Sequence, residues 1–231
     1  MPQEKSVRTI YILTAVLAFG VVLLGTAPVY ASMQGDVDQA ATIIERFQAV
    51  PEKAIPQAVL KDARGLAVMT VIKAGFGISG RGGKGIVVAR TRNGWSGPSA
   101  IGTGGAGFGL QIGAEVTEFV MILNTDAAVQ AFSHDVNFTL GGDISVAAGP
   151  IGRNAEIGIM PIAAIYTYSR SQGVFAGISL EGTIVGTRND ANAEYYGRQV
   201  TPEEILSEKV SSPPGAARLV QVLTHQMFAK R

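Results

Sequence analysis

Between Ala63 and Ala114 the chain places 15 glycines in 52 residues and not one Asp or Glu. Val, Ile, Thr and aromatic residues fill the intervals, types that suit a pleated, half-buried surface. Runs such as GLAVMTVIKAGFGISG, GIVVART and GAEVTEFVMILN, bounded by Gly, Asn or Ser, read as strands. The G-x-G-x-x-G spacing recurs at Gly75/Gly77/Gly80, Gly80/Gly82/Gly85 and Gly102/Gly104/Gly107. A dinucleotide site needs a helix directly after the glycines and an acidic residue about 20 positions on. Neither is present. A phosphate-cradling loop fails as well, because Ile78 stands where its first glycine belongs and Gly85 follows Lys84 where Ser or Thr should. The glycines are therefore read as structural, permitting bulges, bends and close approach of backbones.

Composition narrows the remaining classes. Of 231 residues 47% are hydrophobic, mean hydropathy is positive, and the formal charge is +1. That combination excludes disorder, and the small charge with 7% aromatic residues excludes a globally basic nucleic-acid binder. Zero cysteines exclude disulfides, thiolate metal sites and a cysteine nucleophile. Two histidines, His134 and His225, cannot make a histidine-rich metal centre. GWSGP misses the serine nucleophile elbow at Pro98. Glu115 with Glu118, and Glu203 with Glu204, are read as solvated carboxylates. No enzyme, no cofactor and no metal is expected.

Residues 1–31 carry Lys5 and Arg8, an apolar run from Ile10 to Leu24, and GTAPVYA ending on small residues. This is the pattern of a secretory leader cleaved after Ala31, leaving 32–231 as one domain. The other reading is an uncleaved inner-membrane anchor, because the 18 residues from Ile10 to Ala27 fall only just short of a span.

Downstream, DVDQAATIIERFQAV over 36–50 has helical apolar spacing with Asp36 or Asp38 at its start, and PQAVLKDA makes a second short helix. Asn93-Gly94 marks a hairpin, as does the chain around Gly173. TDAAVQAF reads as a helix capped by Thr125 or Asp126. TPEEIL is a capping box with Thr201 and Glu204, and a last helix runs from Ala216 to Phe228. The expected fold is α+β: a single glycine-rich antiparallel, barrel-like sheet with N-terminal, central and C-terminal helices.

Six cations, Arg64, Lys73, Arg81, Lys84, Arg90 and Arg92, are the charged residues of the 63–114 stretch. Either they form a basic lobe or they solvate strand ends on different faces. The helix over 36–50 is open in the same way, since Ile43, Ile44 and Phe47 suit either an interfacial wedge or a core.

The ordered combination of VLKDARGLAVMTVIKAGFGISGRGGKGIVVART, GWSGPSAIGTGGAGFGLQIGAEVTEFVMILN, AFSHDVNFTLGGDISVAAGPIGRNAE, IYTYSRSQGVFAGISLEGT and YYGRQVTPEEIL resembles the SYLF domain family over a core of 59–206. The resemblance implies a non-enzymatic module that binds phosphoinositide-like lipids, with actin binding in its yeast members. On that basis anionic phospholipid head groups are assigned to Lys61, Lys73, Arg81, Lys84 and Arg90, and a membrane anchor to Ile43, Ile44 and Phe47. The leader points to an exported, periplasmic or envelope-associated bacterial member, for which actin is not expected as a partner. The alternative is a structural protein of that compartment binding a protein partner or itself.

Overall fold

Alternation along two very long strands sets the architecture. The structure, a computed structural model, describes residues 32–49, 54–134, 137–150, 163–173 and 182–228. The chain divides into the units Met1–Ala31 and Ser32–Arg231, and the leader expected over 1–31 lies outside the described residues. Within the second unit the order is α1 (Met33–Gln48), α2 (Gln57–Asp62), β1 (Gly65–Thr91), β2 (Gly94–Trp95), β3 (Ser99–Leu123) and α3 (Asp126–Ser133). Then follow β4 (Phe138–Thr139), β5 (Val146–Ala148), β6 (Ile165–Gly173), β7 (Ile184–Thr187), α4 (Asn189–Tyr196), α5 (Pro202–Leu206), a 3₁₀ turn (Pro214–Ala216) and α6 (Ala217–Phe228).

β1 and β3 pair antiparallel over nearly their whole length, from Gly65↔Leu123 to Val87↔Ser99, with a register shift between Phe76 and Ile78. The ribbon folds back on itself at that shift. Arg90 N–H donates to the Arg64 carbonyl at 2.7 Å, so the first and last residues of β1 lie side by side. Glycine permits this contact. A Cβ on Gly83 would come within 2.8 Å of Val71 Cγ2, and one on Gly85 would collide with the backbone of Val68 and Met69. β6 extends the sheet from β3 at 115–123 and β7 from β3 at 101–103. β4 joins β7, and β5 joins β6 in the one parallel pairing among the named strands. The result is a curled, mostly antiparallel sheet, as the sequence led us to expect.

Both faces of the strand ends are covered, which is why those ends read as unbroken apolar runs. Leu66, Val68, Ile86, Val88, Val120 and Ile122 face one cluster with α1, α2 and α6. Ala67, Met69, Val87, Phe119, Met121 and Leu123 alternate with them onto the opposite face, in a cluster that includes Phe132 of α3. These two periodicities, 2 along the strands and 3.6 along the helices, interlock into the core.

Several local expectations need adjustment. The Asn93-Gly94 hairpin forms, but Thr91↔Gly94 pairing puts Arg92-Asn93 in the two-residue loop. α1 starts at Met33, upstream of the acidic caps expected for it. Thr125 caps α3, and the Thr201/Glu204 capping box is complete. The hairpin expected around Gly173 runs into residues outside the described set.

Candidate functional site

α1 lies across one face of the sheet, and its side chains mark the rows it crosses. Asp36 meets Lys84 Nζ at 2.9 Å and Arg188 Nη1 at 2.7 Å. Gln39 Nε2 donates to Thr70 Oγ1 at 3.0 Å. Arg46 Nη1 pairs with Glu118 Oε1. Thr70, Glu118 and Arg170 follow one another across the register, and Gly83, next to Lys84, lies against the Thr70 carbonyl, so these contacts sit close together on the sheet. The Asp36 side chain is 2% exposed. A carboxylate that deep requires compensating cations.

This geometry corrects two parts of the sequence reading. Ile43, Ile44 and Phe47 are buried against the sheet in the main cluster, so the apolar stripe of α1 is core and has no exposed surface with which to anchor in a membrane. Lys84 is held by a buried acid, and its charge is compensated within the fold. Glu115 and Glu118 are likewise buried, not solvated.

The other assigned cations separate into two places. Lys61 and Arg90 come together with Arg64 around a cavity of about 390 Å³, also lined by Asp62 and Asn124, where β1 begins and ends. The Arg90 guanidinium sits 5.6 Å from the Trp95 ring centroid, a cation–π contact that fixes its direction. Arg64 approaches Asp126 at 3.7 Å with both side chains exposed, a pairing too solvated to remove much charge. Lys73 lies opposite Glu115, and Arg81 crosses Gly105, near the fold of the ribbon. Eight residues of strand separate Gly65 from Lys73, roughly 26 Å at about 3.3 Å per residue. The five cations therefore do not gather at one site.

Arg64 was visible in the sequence as part of the cationic stretch. Asp36 and Arg188, 152 positions apart, carry no local signal. Arg46 and Arg170, with Glu118 and Val116, line a second cavity of about 280 Å³ that sequence reading missed. Among the described residues no group of three or more His, Cys, Asp or Glu could hold a metal, and no helix is long and apolar enough to cross a membrane.

A curled glycine-rich sheet crossed by a helix, with cations gathered at shallow surface cavities, defines an α+β domain of half-barrel type. A family model described as "Las17-binding protein actin regulator", the Ysc84 family, matches residues 104–226. The chain belongs to the Ysc84/SYLF family. The YSC84 protein of Saccharomyces cerevisiae is 43% identical over 211 residues, covering 87% of this chain and 45% of that protein. LAS seventeen-binding protein 3 of the same yeast is 44% identical over 214 residues, 88% of this chain and 47% of its own length. The human SH3 domain-containing YSC84-like protein 1 is 43% identical over 204 residues, 85% of this chain and 60% of its length. The chain thus spans about half the length of its yeast relatives.

Those names overturn one expectation. Actin was set aside because a leader suggested a bacterial envelope, yet the relatives named above are eukaryotic and the family is described as an actin regulator. The bacterial-type assignment draws no support from them.

Proposed function

We propose that this chain is a non-catalytic membrane-associating module that holds anionic phospholipid head groups at the Lys61/Arg64/Arg90 cavity. The observation that carries the reading is the convergence of those three cations, opposed in the lining by Asp62 alone. Arg guanidinium groups match phosphate oxygens in a bidentate fork. Each cation close to an anionic bilayer contributes about 1 kcal/mol before screening. Residues 1–31 act in this reading as a membrane-targeting leader, cleaved or retained, and residues 32–231 as the binding domain.

Sedimentation with vesicles of phosphatidylcholine, with and without phosphatidylglycerol, tests it. Binding should require the anionic lipid, weaken sharply between 0.1 and 1 M salt as the Debye length drops from about 10 to about 3 Å, and be lost in Lys61→Glu/Arg90→Glu. Lys73→Glu/Arg81→Glu should weaken it less. Equal binding to neutral vesicles would sink the reading.

The relatives' names favour a second reading, in which the domain takes part in actin regulation through a protein partner. Co-sedimentation with filamentous actin in the absence of lipid measures that directly.

A further inference from the structure

Among the described residues, the face of the sheet that carries α1 is covered by helices only up to α1. Beyond it, toward the fold of the ribbon, the described floor positions are exposed. Register pairs Ile72↔Val116, Ala74↔Ala114 and Gly82↔Gly104 make up this floor. Ile72 is 54% and Val116 41% exposed, although both are β-branched sheet residues. The glycines here differ from those of the ribbon crossing. A Cβ at Gly80, Gly82 or Gly104 would meet nothing within 4 Å, whereas Gly83 and Gly85 are forced by neighbours. Nothing inside the described fold demands glycine at these open positions.

Along one side the floor is bounded by the row under α1: Arg188, Lys84 and Asp36, then Arg46, Glu118 and Arg170. That row holds four cations against two acids. It ends in the cavity of about 280 Å³ between Arg46, Glu118 and Arg170, where Glu118 Oε2 is buried without a hydrogen-bond partner.

Shape decides the occupant. α1 stands one helix layer above the sheet, about 10 Å, so a flat bilayer would meet α1 before it reached Ile72 or Val116. From the Thr70/Glu118 level to the register shift at Phe76/Ile78 there are about six residues of strand, roughly 20 Å. One further helix, packing 8–10 Å from its neighbour, fits that width. Bare glycines let its backbone approach closely, and the surplus of cations along α1 favours acids on its near edge.

We propose that this floor is a docking groove for an amphipathic helix of a partner protein, laid alongside α1 with an apolar face on Ile72 and Val116 and an acidic edge toward Arg46 and Arg170. The groove is separate from the Lys61/Arg64/Arg90 cavity, so the two functions fail independently.

The test uses a displayed library of 18-residue amphipathic helices with randomised charge on the flanking positions, selected against the full chain. Peptides bearing Glu or Asp along one edge should be enriched. Their binding should fall at least tenfold in Gly82→Phe and in Val116→Arg, and weaken in Arg170→Glu. Gly82 and Val116 are exposed, so the melting temperature of both variants should match the parent and exclude misfolding as the cause. Vesicle binding should be unchanged in them and lost only in Lys61→Glu/Arg90→Glu. Enrichment of basic or uncharged peptides, no enrichment at all, or binding indifferent to Gly82→Phe and Val116→Arg would each overturn the proposal.

Discussion

Asp36 shows how much one side chain can organise. It belongs by sequence to the polar side of an acidic helix, yet its carboxylate is buried against Lys84 and Arg188. Those partners come from β1 and from the residue before α4, so one carboxylate ties α1 to two distant parts of the chain. Removing it leaves two cations facing each other with no acid between them. Loss of one member of a buried ion pair typically costs about 3–5 kcal/mol. Lys84 and Arg188 are partly exposed here, so we expect Asp36→Ala to cost about 3 kcal/mol, measured as a lower urea midpoint at unchanged slope. A loss under 1 kcal/mol would mean that water already compensates the site. Sequence reading missed this cluster because neither spacing nor residue type distinguishes Asp36 from Asp38, which hydrogen-bonds with Gln34 on the exposed side.

At the scale of elements, those with a local chemical signature were legible. The Thr201 box, the Thr125 cap and the Asn93 hairpin loop all carry their own hydrogen-bond partners or turn residues within a few positions. α4 was not foreseen, since NDANAEYY has no apolar stripe. Its stability comes from a tertiary contact instead. Buried Asn192 accepts from Ala100 N–H at 2.7 Å and donates to Ser99 Oγ at 3.2 Å, fastening α4 to the start of β3. The near-isosteric Asn192→Leu would leave the Ala100 N–H and the Ser99 hydroxyl without these partners in the interior. An unsatisfied buried group costs about 1–3 kcal/mol, and the expected result is a lower melting temperature with faster amide exchange at Ala100. If exchange there stays at the parental rate, α4 is held by other contacts. The folding back of β1 was equally hidden: the glycine excess was read as freedom for close approach, but which glycine touches which backbone depends on a register that only the folded ribbon fixes.

Among the described residues, the largest shifts in titration across the molecule fall on a group of tyrosines that sequence reading did not weigh. Burial raises the Tyr195 hydroxyl from 10 to about 12, with the charge of Asp38 adding to the effect. Burial also pushes Tyr168 and Tyr196 still higher, reinforced by neighbouring Tyr166 and Tyr195 respectively. Tyr196 donates to the Pro98 carbonyl at 3.0 Å, while Tyr168 stands so close to Gly149 that a Cβ there would collide with its ring. In the unfolded chain all three lose protons near pH 10. Between that pH and the folded-state values the native protein binds more protons than the unfolded one, so stability falls as pH rises. The tyrosine contribution is fully present below pH 10 and lost progressively through pH 12 and beyond. Denaturant midpoints should therefore hold level as pH approaches 10 from below and drop above it. The change in tyrosinate absorbance should coincide with loss of tertiary signal for the buried hydroxyls. A parent titrating all six of its tyrosines near pH 10 while still folded would contradict the packing described for α4 and β6. Tyr195 sits beside Gly215 in the 3₁₀ turn that leads into α6, and Tyr168 lies in β6. Alkaline unfolding thus tests whether the helical cover and the curled sheet open as one cooperative unit.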